Sequence, residues 1–235
     1  MKNIAIIPAR GGSKRIPRKN IRPFLGKPIL TYSIEAALQS GLFDEVMVST
    51  DDVEIAAVAR QYGAKVPFMR TKKNADDFAT LADVTDEVLT RYRDEQGKTF
   101  DYVAVLLPTA PFVTPEDLHK SFEKLKASDF DGIFPVVPFP APVQRALQFD
   151  EGKIRMIWPE NLNMRSQDLP PAYYDAGQYY WIKYKVFMRE KKLWTDNVTA
   201  TIISPLKAQD IDTPEDWQLA ELKYKLLHHD GEKKI

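Results

Sequence analysis

Short apolar runs that alternate with stretches of helical spacing constrain this chain more than any other feature. Residues 4–7, 45–49, 102–107 and 132–137 are apolar and too short for helices, so each reads as a buried strand. Between them, 28–41, 53–62, 81–93 and 115–128 carry apolar residues at helical spacing. Gly41 and Gly63 close the first two, and Thr114 caps the last. A further strand is expected around 65–69, and after a break a strand at 178–182, a helix near 186–191, a strand around 200–203 and a helix from 214 to about 227. Repeated β-α-β predicts an α/β single domain, 1–235, with a mostly parallel, doubly wound sheet and function at the carboxyl ends of its strands.

The first strand runs directly into a loop that holds five cations, Arg10, Lys14, Arg15, Arg18 and Lys19. Gly11 and Gly12 let the backbone turn with its N–H groups inward, and such a loop can receive phosphate, although a solvated basic turn has the same composition. Lys plus Arg equals Asp plus Glu, 33 of each, so no global field favours nucleic acid or an acidic membrane, and an anion site must be focal. The absence of cysteine excludes disulfides, thiolate nucleophiles and Cys-ligated metals. No apolar run reaches membrane-spanning length and none near the start resembles a secretory signal, so a cytoplasmic protein is expected.

Residues 138–181 break the rhythm, with Pro138, Pro140, Pro142, Pro159, Pro170 and Pro171 among aromatic and basic residues. This segment reads as an inserted arm: a lid, a substrate arm or a dimer contact. Near the end, Asp210 and Asp212 lie two residues apart. On an extended segment they face one side and can share a hard cation, while Asp212 or Thr213 can equally cap the last helix, whose first turn holds Pro214, Glu215 and Asp216. Asp52 has the position of an N-cap for the helix after the second strand.

PARGGSKRIPRKN followed by GKPIL, then STDD, LLPTAPF and DIDTPEDW, resemble in kind and order the motifs of the cytidylyltransferases that activate nonulosonic acids, the sialic acid family. The resemblance covers nearly the whole chain. Within that group RSQDLPPAYYDAGQYYW, at 165–181, looks most like the pseudaminic acid enzymes. Leu107 also stands where sialic acid enzymes carry a glutamine.

The resemblance implies a Rossmann-like nucleotidyltransferase that moves CMP from CTP to the anomeric hydroxyl of a nonulosonic acid and releases pyrophosphate. It implies that the first loop holds the triphosphate through Arg10, Lys14 and Lys19, aided by Ser13 and the amides of Gly11 and Gly12, with Lys19 at the leaving pyrophosphate. Asn20 is implied at the nucleotide, and Arg70, Thr80 and Asp83 where the family closes over cytosine and ribose, though Thr80 and Asp83 are equally helix-cap residue types. Asp210 and Asp212 then become ligands for one or two magnesium ions, and Arg10, Lys19 and Asp212 the catalytic set. The arm, with Thr109 from the fourth strand's loop, reads the sugar: Arg165 and Gln167 face its carboxylate, and Asp168, Tyr174, Asp175 and Gln178 its hydroxyl and acyl groups, though Tyr174, like Tyr173, Tyr179, Tyr180 and Trp181, is equally a core or dimer-contact residue type. A homodimer through the arm is the family habit. The three histidines fall in helices away from these motifs, so a carboxylate or metal-bound water must act as base. Sialic or legionaminic acid is the alternative sugar. A 3-deoxy-manno-octulosonate enzyme is disfavoured by RSQDLP, and a non-catalytic nucleotide binder by the two aspartates.

Overall fold

The computed structural model describes residues 1–229. A seven-stranded sheet carries the fold: β1 (Asn3–Pro8), β4 (Glu45–Ser49), β5 (Tyr102–Leu106), β6 (Gly132–Pro138), β9 (Tyr173–Asp175), β10 (Tyr179–Lys183) and β11 (Val198–Ile202). Their order is β11-β6-β10-β5-β1-β4, with β9 also on β6. Five strands run in one direction, while β9 and β10 run against them, so the sheet is mixed but mostly parallel. Two short ribbons complete the strands: β2 (Pro23–Phe24) with β3 (Lys27–Pro28), and β7 (Leu147–Asp150) with β8 (Lys153–Met156).

Strand alternation sorts side chains to the two faces. Ala5 and Ile7 of β1 join α1 (Leu30–Ser40), α2 (Val53–Gln61) and α4 (Pro115–Lys126) in one cluster. Ile4 and Ile6 pack on the other face against α3 (Leu81–Gln96) and α5 (Tyr184–Glu190). Helices on both faces are what near-continuous apolar strands require. A third cluster lies outside the sandwich: Ile16 from the basic loop, Phe24, Phe112 and Ile211 pack on Trp217 and Ala220 of α6 (Pro214–His229). Burying Ile16 there contributes about 1.5–3 kcal/mol and fastens the loop to the segment holding Asp210 and Asp212.

Three expectations change. No strand forms at 65–69. Only Lys65 bridges to Met47, because Pro67 has no N–H to continue a ladder. The helix expected from 28 begins at Leu30, since Lys27 and Pro28 form β3. The arm, expected over 138–181, is shorter because its last residues belong to the sheet: the strand expected at 178–182 forms as β10, between β5 and β6, with Tyr179 and Trp181 fully buried. The chain leaves the sheet after Pro138 and rejoins it at Tyr173, directly opposite Pro138. β9 and β10 together form one strand along β6, interrupted at 176–178, where Gly177 adopts a φ of 61°. The excursion itself contains the β7–β8 hairpin.

Candidate active site

The carboxyl ends of β1 and β5 open into a cleft of about 340 Å³. Arg10, Ser13, Lys14, Arg15, Lys19 and Asn20 line one wall, Arg70, Asn74, Asp76, Asp77 and Thr80 the other, and Leu107, Pro108 and Thr109 the end. Among the described residues, no group of three or more His, Asp or Glu side chains is placed to hold a metal ion.

The basic loop is fixed by contacts that its own sequence does not announce. The left-handed backbone position belongs to Arg18 (φ 56°), and neither Gly11 nor Gly12 has a positive φ. Arg18 is held by a fork onto Asp52, with Nη2 to Oδ1 at 3.1 Å, and by Glu54 at 2.5 Å. Gly11 is needed for space, because a Cβ there would sit 2.8 Å from Asp52 Oδ2. Its amide donates to Asp51 at 3.0 Å, so it is not turned into the cleft as expected. Asp52 also caps α2, accepting from the amides of Glu54 and Ile55. The hydrogen bond from Arg18, with these amide bonds, holds its carboxyl down to about 2.

Each of the five loop cations has an acidic partner. Arg10 donates to Asp77 at 2.8 Å and to the Asp76 carbonyl at 2.9 Å, and Lys14 pairs with the same Asp77. Arg15 meets Asp212 at 2.9 Å. Lys19 donates to the Ile211 carbonyl at 2.6 Å and to Asp212 at 3.4 Å. Asn20 is buried and braces the loop by donating to the Arg10 carbonyl at 2.9 Å.

The capping role at α6 falls to Thr213 rather than Asp212. Asp216 N–H donates to Thr213 Oγ1 at 3.2 Å, and Thr213 N–H donates to Asp216 Oδ2 at 2.8 Å. Asp212 is thereby left to Arg15 and Lys19. Asp210 is open to solvent on one side, yet crowding by surrounding protein, reinforced by the nearby Asp212 charge, pushes its carboxyl above the usual range. Neither aspartate lines the cleft. Lys19 and Arg15, which line it, connect Asp212 to it.

The family model described as cytidylyltransferase matches residues 4–224. The chain belongs to the cytidylyltransferase family. It is 42% identical over 97% of its length to the pseudaminic acid cytidylyltransferase of Campylobacter jejuni, covering 98% of that protein. It is 33% identical to the CMP-N,N'-diacetyllegionaminic acid synthase of Legionella pneumophila, over 94% of this chain and 95% of that one. In fold it is similar to a CMP:2-keto-3-deoxy-manno-octonic acid synthetase solved with CTP, with TM-score 0.70 and 18% identity over 97% of this chain and all of that one.

In this cytidylyltransferase the residues expected at the nucleotide divide. Arg10, Ser13, Lys14, Lys19, Asn20, Arg70 and Thr80 share the cleft, whereas Gly11, Gly12 and Asp83 do not line it. Asp83 and Thr80 form the capping box of α3, so the carboxylate of Asp83 is spent on the Thr80 N–H (2.9 Å) and hydroxyl (2.6 Å). Arg70 is buried, and desolvation lowers it to about 10. It donates to Ser49 Oγ at 3.1 Å and to the Ser49 carbonyl at 2.5 Å, and its Nη1 has no hydrogen-bond partner among the described residues.

The residues expected at the sugar are not assembled in one chain. Only Thr109 lines the cleft. Arg165 and Asp168 pair with each other at 2.7 Å on the exposed arm, and Gln167 is exposed beside them. Tyr174 packs on Phe139, their rings 5.1 Å apart. Asp175 accepts from Tyr180 Oη at 2.5 Å and from the Gly177 amide at 2.8 Å, while Gln178 is buried and donates to the Lys207 carbonyl. Those two are structural braces of the strand interruption. The sequence reading missed Asn74, Asp76 and Asp77. The only signal was acidic residues shortly before a Thr-x-x-Asp cap.

Proposed function

We propose that the chain transfers CMP from CTP to the anomeric hydroxyl of pseudaminic acid, releasing pyrophosphate. The observation that carries this reading is the 42% identity to the Campylobacter enzyme over 97% of the chain, a span that takes in both the phosphate loop and the arm. Arg10, Lys14 and Lys19 hold the triphosphate by charge-assisted hydrogen bonds, with Lys19 at the leaving pyrophosphate, and the loop holds them in line for attack on the α-phosphorus. Arg70 offers Nη1 to a pyrimidine acceptor, and its burial makes that bond strong. Asp212 takes the proton of the attacking hydroxyl.

Asp210 and Asp212 suit one or two magnesium ions. Asp210 is disfavoured as an anion by surrounding protein and then by the charge of Asp212, and a hard cation offsets both. Two carboxylates completed by phosphate and water oxygens are a usual magnesium donor set. Bound there, the metal supplies further charge neutralisation at the phosphates.

The arm supports a homodimer. Leu147, Phe149 and Ile154 of the β7–β8 hairpin are exposed, as are Ile157 and Leu162, and a second copy of the chain can cover them. Arg165, Gln167 and Asp168, outside their own cleft, then serve the sugar from the assembled dimer.

The test is pyrophosphate release with CTP, magnesium and separate pseudaminic, legionaminic and sialic acids. The reading expects pseudaminic acid to be preferred. Preference for another sugar overturns the substrate, and no release with any overturns the activity.

A further inference from the structure

Asp77 bridges Arg10 and Lys14 at the tip of the loop between Arg70 and α3, one carboxylate spanning two cations as a phosphate would. The ends of this loop are fixed without the tip. Glu87 accepts from the Thr71 N–H and hydroxyl, both at 2.8 Å, and from Asn74 at 2.6 Å, while the Thr80–Asp83 capping box secures the other end. Asp76 folds the tip by accepting from the amides of Phe78 at 2.9 Å and Ala79 at 2.8 Å. No apolar anchor holds the tip down, since Phe78 is 89% exposed.

We infer that Asp77 is a built-in competitor for the phosphate site, which the incoming triphosphate must displace by swinging the loop tip away from Arg10 and Lys14. The inference rests on reading those two cations as phosphate ligands. They cannot pair fully with Asp77 and with a triphosphate at once. The occupied fraction therefore lowers the apparent affinity for nucleotide, and the tip moves while Glu87 and Asp83 keep both ends in place. The hydrogen bond from Lys14, with the charges of Lys14 and Arg10, holds the Asp77 carboxyl below its usual range, so the competitor is anionic at neutral pH.

The experiment is a calorimetric titration of inorganic tripolyphosphate, without metal, into the full chain and its Asp77→Asn and Asp77→Ala variants. A Phe78→Trp reporter on the otherwise native chain reads the tip. Both Asp77 variants are expected to bind roughly two- to tenfold more tightly, the size expected for exposed ion pairs, with the reporter's emission changing on saturation. Unchanged or weaker binding by the variants overturns the proposal while leaving the phosphate site standing, as does an emission that ligand does not move. Failure of the native chain and both variants to bind overturns the phosphate-site reading and the proposal together.

Discussion

The phosphate loop and the arm both leave the carboxyl end of a parallel strand, β1 for one and β6 for the other, yet they are built in opposite ways. The loop is fastened from below by Ile16 in the α6 cluster and from the side by Arg18 on Asp52. The arm projects a two-stranded hairpin whose residues are exposed on both strands, apart from half-buried Met156. In the proposed homodimer a second copy of the chain covers these exposed apolar side chains. On the function proposed above, the nucleotide site is completed within one chain and the sugar site by the copy that covers the arm.

Substitutions on each side separate these roles. The largest effect is expected at the loop: Lys19→Ala should lower pyrophosphate release by about 10²–10³-fold with an unchanged circular dichroism spectrum, the scale of losing a donor to developing charge. Asp212→Asn should fall alongside it, and full activity in either variant breaks the assignment of the loop and its acidic partner. On the arm, Phe149→Ser with Ile154→Ser should turn a dimer into a monomer in sedimentation. It should raise the KM for the sugar roughly tenfold, and alter monomer stability by no more than about 0.5 kcal/mol. An equal rise in the KM for CTP would show that the two regions are not separable. Gly11→Ala forces a methyl against Asp52, 2.8 Å away, and should cost about 1–3 kcal/mol in urea unfolding as well as weakening CTP binding.

The smallest effect is a pH signature. Asp52 has a folded pKa of about 2, below its unfolded value of 3.8. Its stabilisation is therefore full above the unfolded value and is lost as pH falls through about 2. Asp52→Asn keeps a capping side chain and loses the charge, so it should lower stability by about 1 kcal/mol or less at pH 7, after solvent screening. Its melting curve should converge with that of the native chain near pH 2. A constant gap across that range would remove the Arg18–Asp52 pair as the support of the loop.

The strands of the core were legible because Ile4 to Ile7 or Val103 to Leu106 carry their own signal in composition and length. The cations of the loop were legible for the same reason. Their partners were not: Asp77, Asp52 and Asp212 lie 67, 34 and 193 positions from Arg10, Arg18 and Lys19, and only the fold brings them together. The partners of Gln178 and Asp175, both expected at the sugar, were hidden for a related reason. A polar residue at a strand break is indistinguishable in sequence from one at a binding site, and here the sheet claims both. Pro67 ended a strand that the apolar pattern alone had suggested.

The pairing of Pro138 with Tyr173 has an engineering consequence. The arm departs and returns on adjacent strands, whose backbones lie about 4.8 Å apart, so its closure is enforced by the sheet whatever lies between. Residues 139–172 thus behave as an exchangeable cassette. On the proposed role of the arm, grafting the corresponding stretch from a relative that handles a different sugar should change acceptor preference while CTP binding stays as it was.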